Sequence, residues 1–123
     1  MTDVREQGLQ VFRELLPGVL PDGDVELPTG NFADEMFGLA LDSVFGRLWT
    51  RDGLSRRDRS LVTLGVLIAL RADEELKLHF KIARTNGLSD AEIAEVLYHC
   101  TGYTGFPAAT SAMKIAEETL RET

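Results

Sequence analysis

Glu75 and His79 are four residues apart in a stretch whose pattern predicts a helix. At that spacing a carboxylate and an imidazole stack on the same helix face. Imidazole titrates near neutral pH, and a carboxylate one turn earlier can orient and charge it. The pair therefore predicts a device for proton transfer, with His79 as the first catalytic candidate. From the residues alone, an ordinary ion pair on a helix surface is an equal alternative.

Four arginines surround the predicted start of the preceding helix: Arg51, Arg56, Arg57 and Arg59. Positive side chains there oppose the helix dipole and need an anion or nearby carboxylates to compensate. Asp52 and Asp58 can compensate locally, and so can the carboxylate of a substrate. Arginine suits that task because its planar fork makes two parallel hydrogen bonds. These four and Arg47 are the candidate carboxylate contacts.

Three further positions are candidates for lining a pocket. Trp49 either lines the pocket or packs in the core. A single Trp is more often a core residue. His99 either faces the pocket or caps a buried carbonyl group. Tyr103 lies in a glycine-containing segment, 102–107, which predicts either a tight elbow near a ligand or a plain turn between helices. Cys100 is expected to be an inert buried thiol.

Composition narrows the classes of function. The chain has 123 residues, typical of one domain spanning 1–123, and its net charge of −7 disfavours nucleic acid and anionic membranes as partners. A single cysteine and an N-terminus without signal-peptide order favour the cytoplasm. The longest apolar run, residues 61–70, is far short of the roughly 20 residues that cross a bilayer. Without an HExxH motif, paired CxxC motifs or a glycine-rich phosphate loop, no metal or cofactor is predicted.

Helical periodicity and capping residues predict the elements that must position these side chains. No stretch alternates with a period of two long enough for a strand, so the fold class is all-α. Six helices are expected: 3–16, 31–44, 55–71, 73–86, 89–101 and 108–120. The third is apolar nearly all round and is predicted to be central and buried on several faces.

Three fragments carry a resemblance to a known family: GRLWTRDGLSRRDRSLVTL, EELKLHFKIARTNGLSDAEIAEVLYH and TGYTGFPAA. Together, over roughly residues 35 to 120, they resemble the carboxymuconolactone decarboxylase family, which has the alkylhydroperoxidase-D-like helical fold. The resemblance implies cofactor-free conversion of 4-carboxymuconolactone to the enol-lactone of 3-oxoadipate, and a homohexamer built as a trimer of dimers. It implies His79 and Glu75 as the acid–base pair, with Arg51 in LWTRDGL as the best carboxylate contact. Trp49, His99 and Tyr103 are the other candidate substrate-binding residues.

Two other functions are alternatives to this one. Thiol peroxidases of the same superfamily need a Cys-x-x-Cys pair with a histidine four residues later. Aligning that histidine with His79 places Ala72 and Glu75 where the thiols would be, so peroxidase chemistry is excluded. A non-catalytic oligomer that binds a small hydrophobic or acidic ligand remains open, because a shared fold does not fix function.

Overall fold

The computed structural model describes residues 3–122, and these contain helices and no strand. The all-α prediction is therefore confirmed. The six α-helices are α1 (Val4–Leu15), α2 (Met36–Ala40), α3 (Arg56–Leu70), α4 (Asp73–Thr85), α5 (Asp90–Thr104) and α6 (Phe106–Arg121), and a π-helical turn (Leu41–Phe45) follows α2. The residues group into two compact units, the first ending at Leu54 and the second beginning at Ser55. A single domain over the whole chain stays a prediction.

In the first unit, α1 packs against the π-helical turn. The two segments approach closely because Gly8 has no side chain, and a Cβ atom there would collide with the carbonyl group of Leu41. The ring of Phe12 meets that of Phe45 edge-on, with centroids 5.2 Å apart. The predicted helix 31–44 is shorter than expected, since α2 begins only at Met36. The predicted helix also ends in the wider π-helical turn, in which the Gly46 amide donates to the Leu41 carbonyl five residues earlier.

The second unit consists of α3 to α6 around one apolar core. Two of its helices, α3 and α5, start with the predicted capping chemistry. The Ser55 side chain accepts from the Asp58 amide at 3.0 Å, and Ser89 with Glu92 forms a complete capping box. Gly87 follows the end of α4 with a φ of +97°, as the predicted left-handed cap requires.

Two details of the second unit differ from expectation. The prediction that α3 is buried on several faces is wrong, since Val62, Val66 and Leu70 are 57%, 50% and 70% exposed. The other helices cover the side of α3 that carries Leu64 and Ile68, and leave this stripe open. Helix α5 also continues through Gly102 and therefore ends later than predicted. The residue after its end is Gly105, which has a φ of +90°.

No helix within residues 3–122 combines the length and the apolar character that crossing a membrane requires.

Candidate active site

Helix α4 carries Glu75 and His79 on one side, as the spacing predicts. Glu75 is exposed and His79 is half-buried. Asn86 lies seven residues beyond His79, hence on nearly the same side of the helix. Its amide nitrogen donates to the Ser60 hydroxyl of α3 at 3.0 Å, and Ile82 between them is 1% exposed. The C-terminal part of this side of α4 therefore packs against α3. His79 lies at the boundary between this buried part and the exposed N-terminal part.

Burial decides the charge of His79. It lowers the pKa of the imidazole from 6.5 to about 4, because the charged form loses hydration when the ring is covered. The sequence suggested that Glu75 would charge the ring, but burial alone causes the shift in the pKa, and Glu75 is itself in solvent. A neutral imidazole has one N–H donor and one acceptor nitrogen. Delivering a proton to a substrate thus requires a nearby negative charge that favours the imidazolium form.

A groove lies between α3 and α5 in the second unit. Its cavity volume is about 580 Å³, well within the range of small-molecule sites. On α3 the lining residues recur every fourth position. The full lining consists of Arg57, Leu61, Gly65, Glu92, Glu95, Val96, His99 and Cys100. The groove therefore follows both helices from their first turns and combines apolar walls with four ionisable groups besides the thiol.

A chain of polar contacts fixes the arginine of the groove. The Arg57 Nη2 atom donates to Glu92 Oε2, while Glu92 Oε1 accepts from the Ser89 amide at 3.0 Å. The Ser89 backbone N–H, with a further contribution from Arg57, lowers the pKa of the Glu92 carboxyl group below its usual value. Because Glu92 belongs to the capping box of α5, it holds the Arg57 guanidinium in a defined place.

His99 and Tyr103 lie together on α5. Their ring centroids are 5.1 Å apart at an interplanar angle of 35°, and Tyr103 is 82% exposed. Cys100 borders the groove but is only 7% exposed, and burial raises the pKa of its thiol. The protonated, buried form agrees with the inert role expected for this residue.

Trp49 and Arg51, the other two predicted substrate-binding residues, belong to the first unit. Trp49 is 6% exposed, a burial that fits either the wall of a pocket or the core. Arg51 is exposed, and its backbone amide donates to the Leu48 carbonyl at 3.2 Å. Within the part of the chain that the structure describes, no group of three or more His, Cys, Asp or Glu side chains is arranged to hold a metal ion.

Sequence reasoning missed the groove and most of its lining, including Glu95 and Gly65. Glu95 stands four residues before His99, so the chain contains a second Glu–His pair with the spacing of Glu75 and His79. Gly65 lies eight residues after Arg57, about two turns further along α3. Both signals were present in the sequence, but only packing shows that they face one cavity.

Comparison with known proteins agrees with the fold and with the sequence fragments. Residues 35–118 match the model of the Carboxymuconolactone decarboxylase family. The chain is 35% identical over 117 residues to a 4-carboxymuconolactone decarboxylase from Acinetobacter baylyi, covering 95% of this chain and 87% of that protein. It is 38% identical over 84 residues to the nitrosuccinic acid decarboxylase npaB from Metarhizium robertsii, covering 68% of this chain and 59% of that longer protein. The chain therefore belongs to the carboxymuconolactone decarboxylase family.

Proposed function

We propose that the protein is a carboxy-lyase that converts 4-carboxymuconolactone, or a closely related small lactone acid, to the enol-lactone of 3-oxoadipate in protocatechuate degradation. The observation that carries this proposal is the identity of 35% over 95% of the chain to a 4-carboxymuconolactone decarboxylase. A second similar protein is also a decarboxylase of a small acid. A cytoplasmic location belongs to the same proposal, as the site of such a pathway.

The substrate itself accounts for most of the chemistry. The departing carboxylate is attached to a ring carbon that is conjugated through an alkene to the lactone carbonyl. When this carbon–carbon bond breaks, CO₂ leaves and the electron pair enters the ring as a dienolate. A proton then adds to the ring carbon next to the carbonyl and gives the enol-lactone. One proton is consumed for each CO₂ released, and the protein needs to supply binding, charge stabilisation and that proton.

His79 is the proposed proton donor. Its imidazole is neutral at pH 7 in the unliganded chain because burial lowers its pKa to about 4. A substrate with two negative charges favours the imidazolium form, so proton uptake accompanies binding. Glu75, one turn earlier and in solvent, is a positioning residue in this proposal. The half-buried setting of His79 supports it, since a donor shielded from water delivers its proton to the substrate rather than to solvent.

The other proposed contacts follow from the sequence fragments of the family resemblance. Arg51 is a proposed contact for the carboxylate that the substrate keeps. Trp49, His99 and Tyr103 are proposed substrate-binding residues. The structure supports this role most for His99, which lines the groove and touches the Tyr103 ring.

We also propose that the protein is a homo-oligomer, with the hexamer as a trimer of dimers. The exposed stripe of Val62, Val66 and Leu70 on α3 supports this, because self-association would remove this apolar surface from water. Light scattering at micromolar protein concentration should give a mass several times that of the 13.6 kDa chain. A monomer would contradict the proposal.

The test of the proposed function is CO₂ release from 4-carboxymuconolactone by the purified protein. We expect one CO₂ per lactone consumed, with the same rate after dialysis against a metal chelator. The rate should be compared with that of His79→Ala protein prepared in parallel. Binding of the lactone without CO₂ release would instead favour the non-catalytic ligand-binding alternative.

A further inference from the structure

We propose that the exposed stripe of α3, formed by Val62, Val66 and Leu70, packs into a second groove, between α5 and α6, of another copy of this chain. This inference rests on the proposed homo-oligomer and names the two surfaces that form one of its contacts. Both surfaces belong to the second unit. The contact involves neither of the proposed catalytic residues, so it is tested separately from CO₂ release.

The groove between α5 and α6, here called the α5–α6 groove, has a narrow floor and a large apolar rim. Its cavity volume is about 260 Å³. Leu97 and Ala109 form the buried floor, at 7% and 3% exposed. Tyr98, Phe106 and Met113 stand at the rim and are 65%, 70% and 45% exposed. A hollow of this kind can receive the ridge of side chains that a helix presents.

The stripe and the α5–α6 groove match in length. Val62 and Leu70 are eight residues apart, about 12 Å along a helix at 1.5 Å per residue. The groove is lined by residues within 94–101 of α5 and 106–113 of α6, each about 10 Å long. Helix α2 also exposes large apolar side chains, but its five residues extend only about 7.5 Å. The stripe of α3 is therefore the better occupant.

Charge also favours a contact between copies at these two surfaces. The net charge of −7 makes two copies repel each other wherever their charged surfaces meet. Residues 60–70 of α3 include no charged side chain, and neither does the lining of the α5–α6 groove. One end of the groove continues between Asp90 and Glu117, which are paired with Arg84 and Arg121. The stripe can thus enter the groove without repulsion at the contact.

The available area indicates that each copy makes the contact twice. The exposed parts of Tyr98 and Phe106 provide roughly 300 Å², whereas a stable interface buries about 800 Å² on each partner. In a head-to-tail contact each copy offers its stripe to one neighbour and its groove to another, so both areas are buried. Such a contact forms a ring when it closes. A trimer of dimers needs a ring-forming contact in addition to a twofold one.

The first experiment places one charge in each surface and measures the mass by sedimentation over a range of protein concentrations. Val66→Lys changes the middle of the stripe, and Thr110→Glu changes an exposed residue of the groove lining. Each charge would be buried without a partner, so the dissociation constant should rise by roughly a hundredfold or more. The matched control, Met36→Lys on exposed α2, should keep the parent's mass. If Val66→Lys loses the helical signal, Val62→Lys replaces it.

The second experiment tests whether the two surfaces touch. In the double variant Val66→Lys/Thr110→Glu, the lysine of one copy would meet the glutamate of the next. Its dissociation constant should be roughly tenfold or more below that of either single variant. In Val66→Glu/Thr110→Glu two like charges would meet, so the mass should stay low. Recovery by opposite charges and not by like charges is expected only when the stripe packs in the groove.

The outcomes separate this inference from the proposed function. If the parent is a monomer, the homo-oligomer and this inference are both overturned, and CO₂ release still decides the proposed reaction. If the parent is an oligomer and either single variant keeps its mass, the inference is overturned while the homo-oligomer stands. If both single variants dissociate but opposite charges restore no more association than like charges, the two surfaces do not meet and the inference is overturned.

Discussion

The two Glu–His pairs of the chain have the same spacing and different surroundings. Glu75 and His79 lie on α4, where the imidazole is half-buried and burial lowers its pKa to about 4. Glu95 and His99 lie on α5, where the imidazole is exposed, lines an open groove and touches the Tyr103 ring. A spacing of four places each pair on one helix face, but the packing of that face decides what the pair does.

This difference suggests a division of labour. A half-buried imidazole suits proton transfer, because its charge depends on the substrate. An exposed imidazole at the edge of a cavity suits contact with the substrate. The predictions below test this division, beginning with the largest expected effect.

Removing the His79 imidazole should give the largest change. His79→Ala should lower kcat by about two to four orders of magnitude, the usual contribution of general acid–base catalysis, with the helical circular dichroism signal intact. The matched variant is His99→Ala, which should raise KM and keep most of kcat. Equal turnover by His79→Ala and the parent would remove His79 from the mechanism.

The burial of His79 should also make stability depend on pH. The imidazole titrates near 6.5 when unfolded and about 4 when folded, so the folded state favours the neutral form. Its contribution is fully present above pH 6.5 and is lost as the pH falls toward 4, because the unfolded chain then binds the extra proton. The loss should be about 3 kcal/mol in the free energy of unfolding. Urea unfolding at several pH values between 7 and 4 measures how the free energy of unfolding depends on pH. In His79→Asn the slope of this dependence should be smaller, because the imidazole is absent. A slope unchanged in His79→Asn would mean that the ring is not desolvated.

Arg51 belongs to neither Glu–His pair. Replacing it tests whether a residue of the first unit contacts the substrate. Arg51→Ala should raise KM more than it lowers kcat, since losing a charge-assisted pair is worth about 1.5 to 3 kcal/mol. Arg51→Lys should restore part of the affinity. If Arg51→Ala destabilises the fold and leaves KM unchanged, Arg51 is a structural partner of Asp52 or Asp58.

The smallest effects should come from the two glutamates. Glu75→Gln should lower kcat by much less than His79→Ala, because burial and not Glu75 sets the charge of the ring. Glu95→Gln should leave kcat near the parent value and change KM instead. Steady-state kinetics of the two variants compares the pairs directly. If Glu75→Gln loses as much as His79→Ala, Glu75 acts in the proton transfer itself.

Local chemistry in the sequence predicted much of the second unit. Ser55, Ser89 and Gly87 lie at helix ends as expected, because capping depends on residues three or four positions apart. The surroundings of His79 and the open stripe at Val66 could not be predicted in this way, since both depend on which helices pack together. The groove was missed for the same reason. Arg57 and Glu92 are 35 residues apart, and no local pattern brings them into contact.

The central claim is that the protein delivers a proton to the ring carbon next to the lactone carbonyl after CO₂ departs, and the reaction in heavy water tests it most directly. The parent protein in D₂O should release one CO₂ per lactone and place one deuterium on a single face of the ring carbon next to the lactone carbonyl. Deuterium NMR in a chiral aligning medium, which separates the signals of the two enantiomers, measures this. A fixed donor on one side of the substrate predicts this outcome. CO₂ release with deuterium on both faces in equal amounts, or no CO₂ release, would contradict the claim.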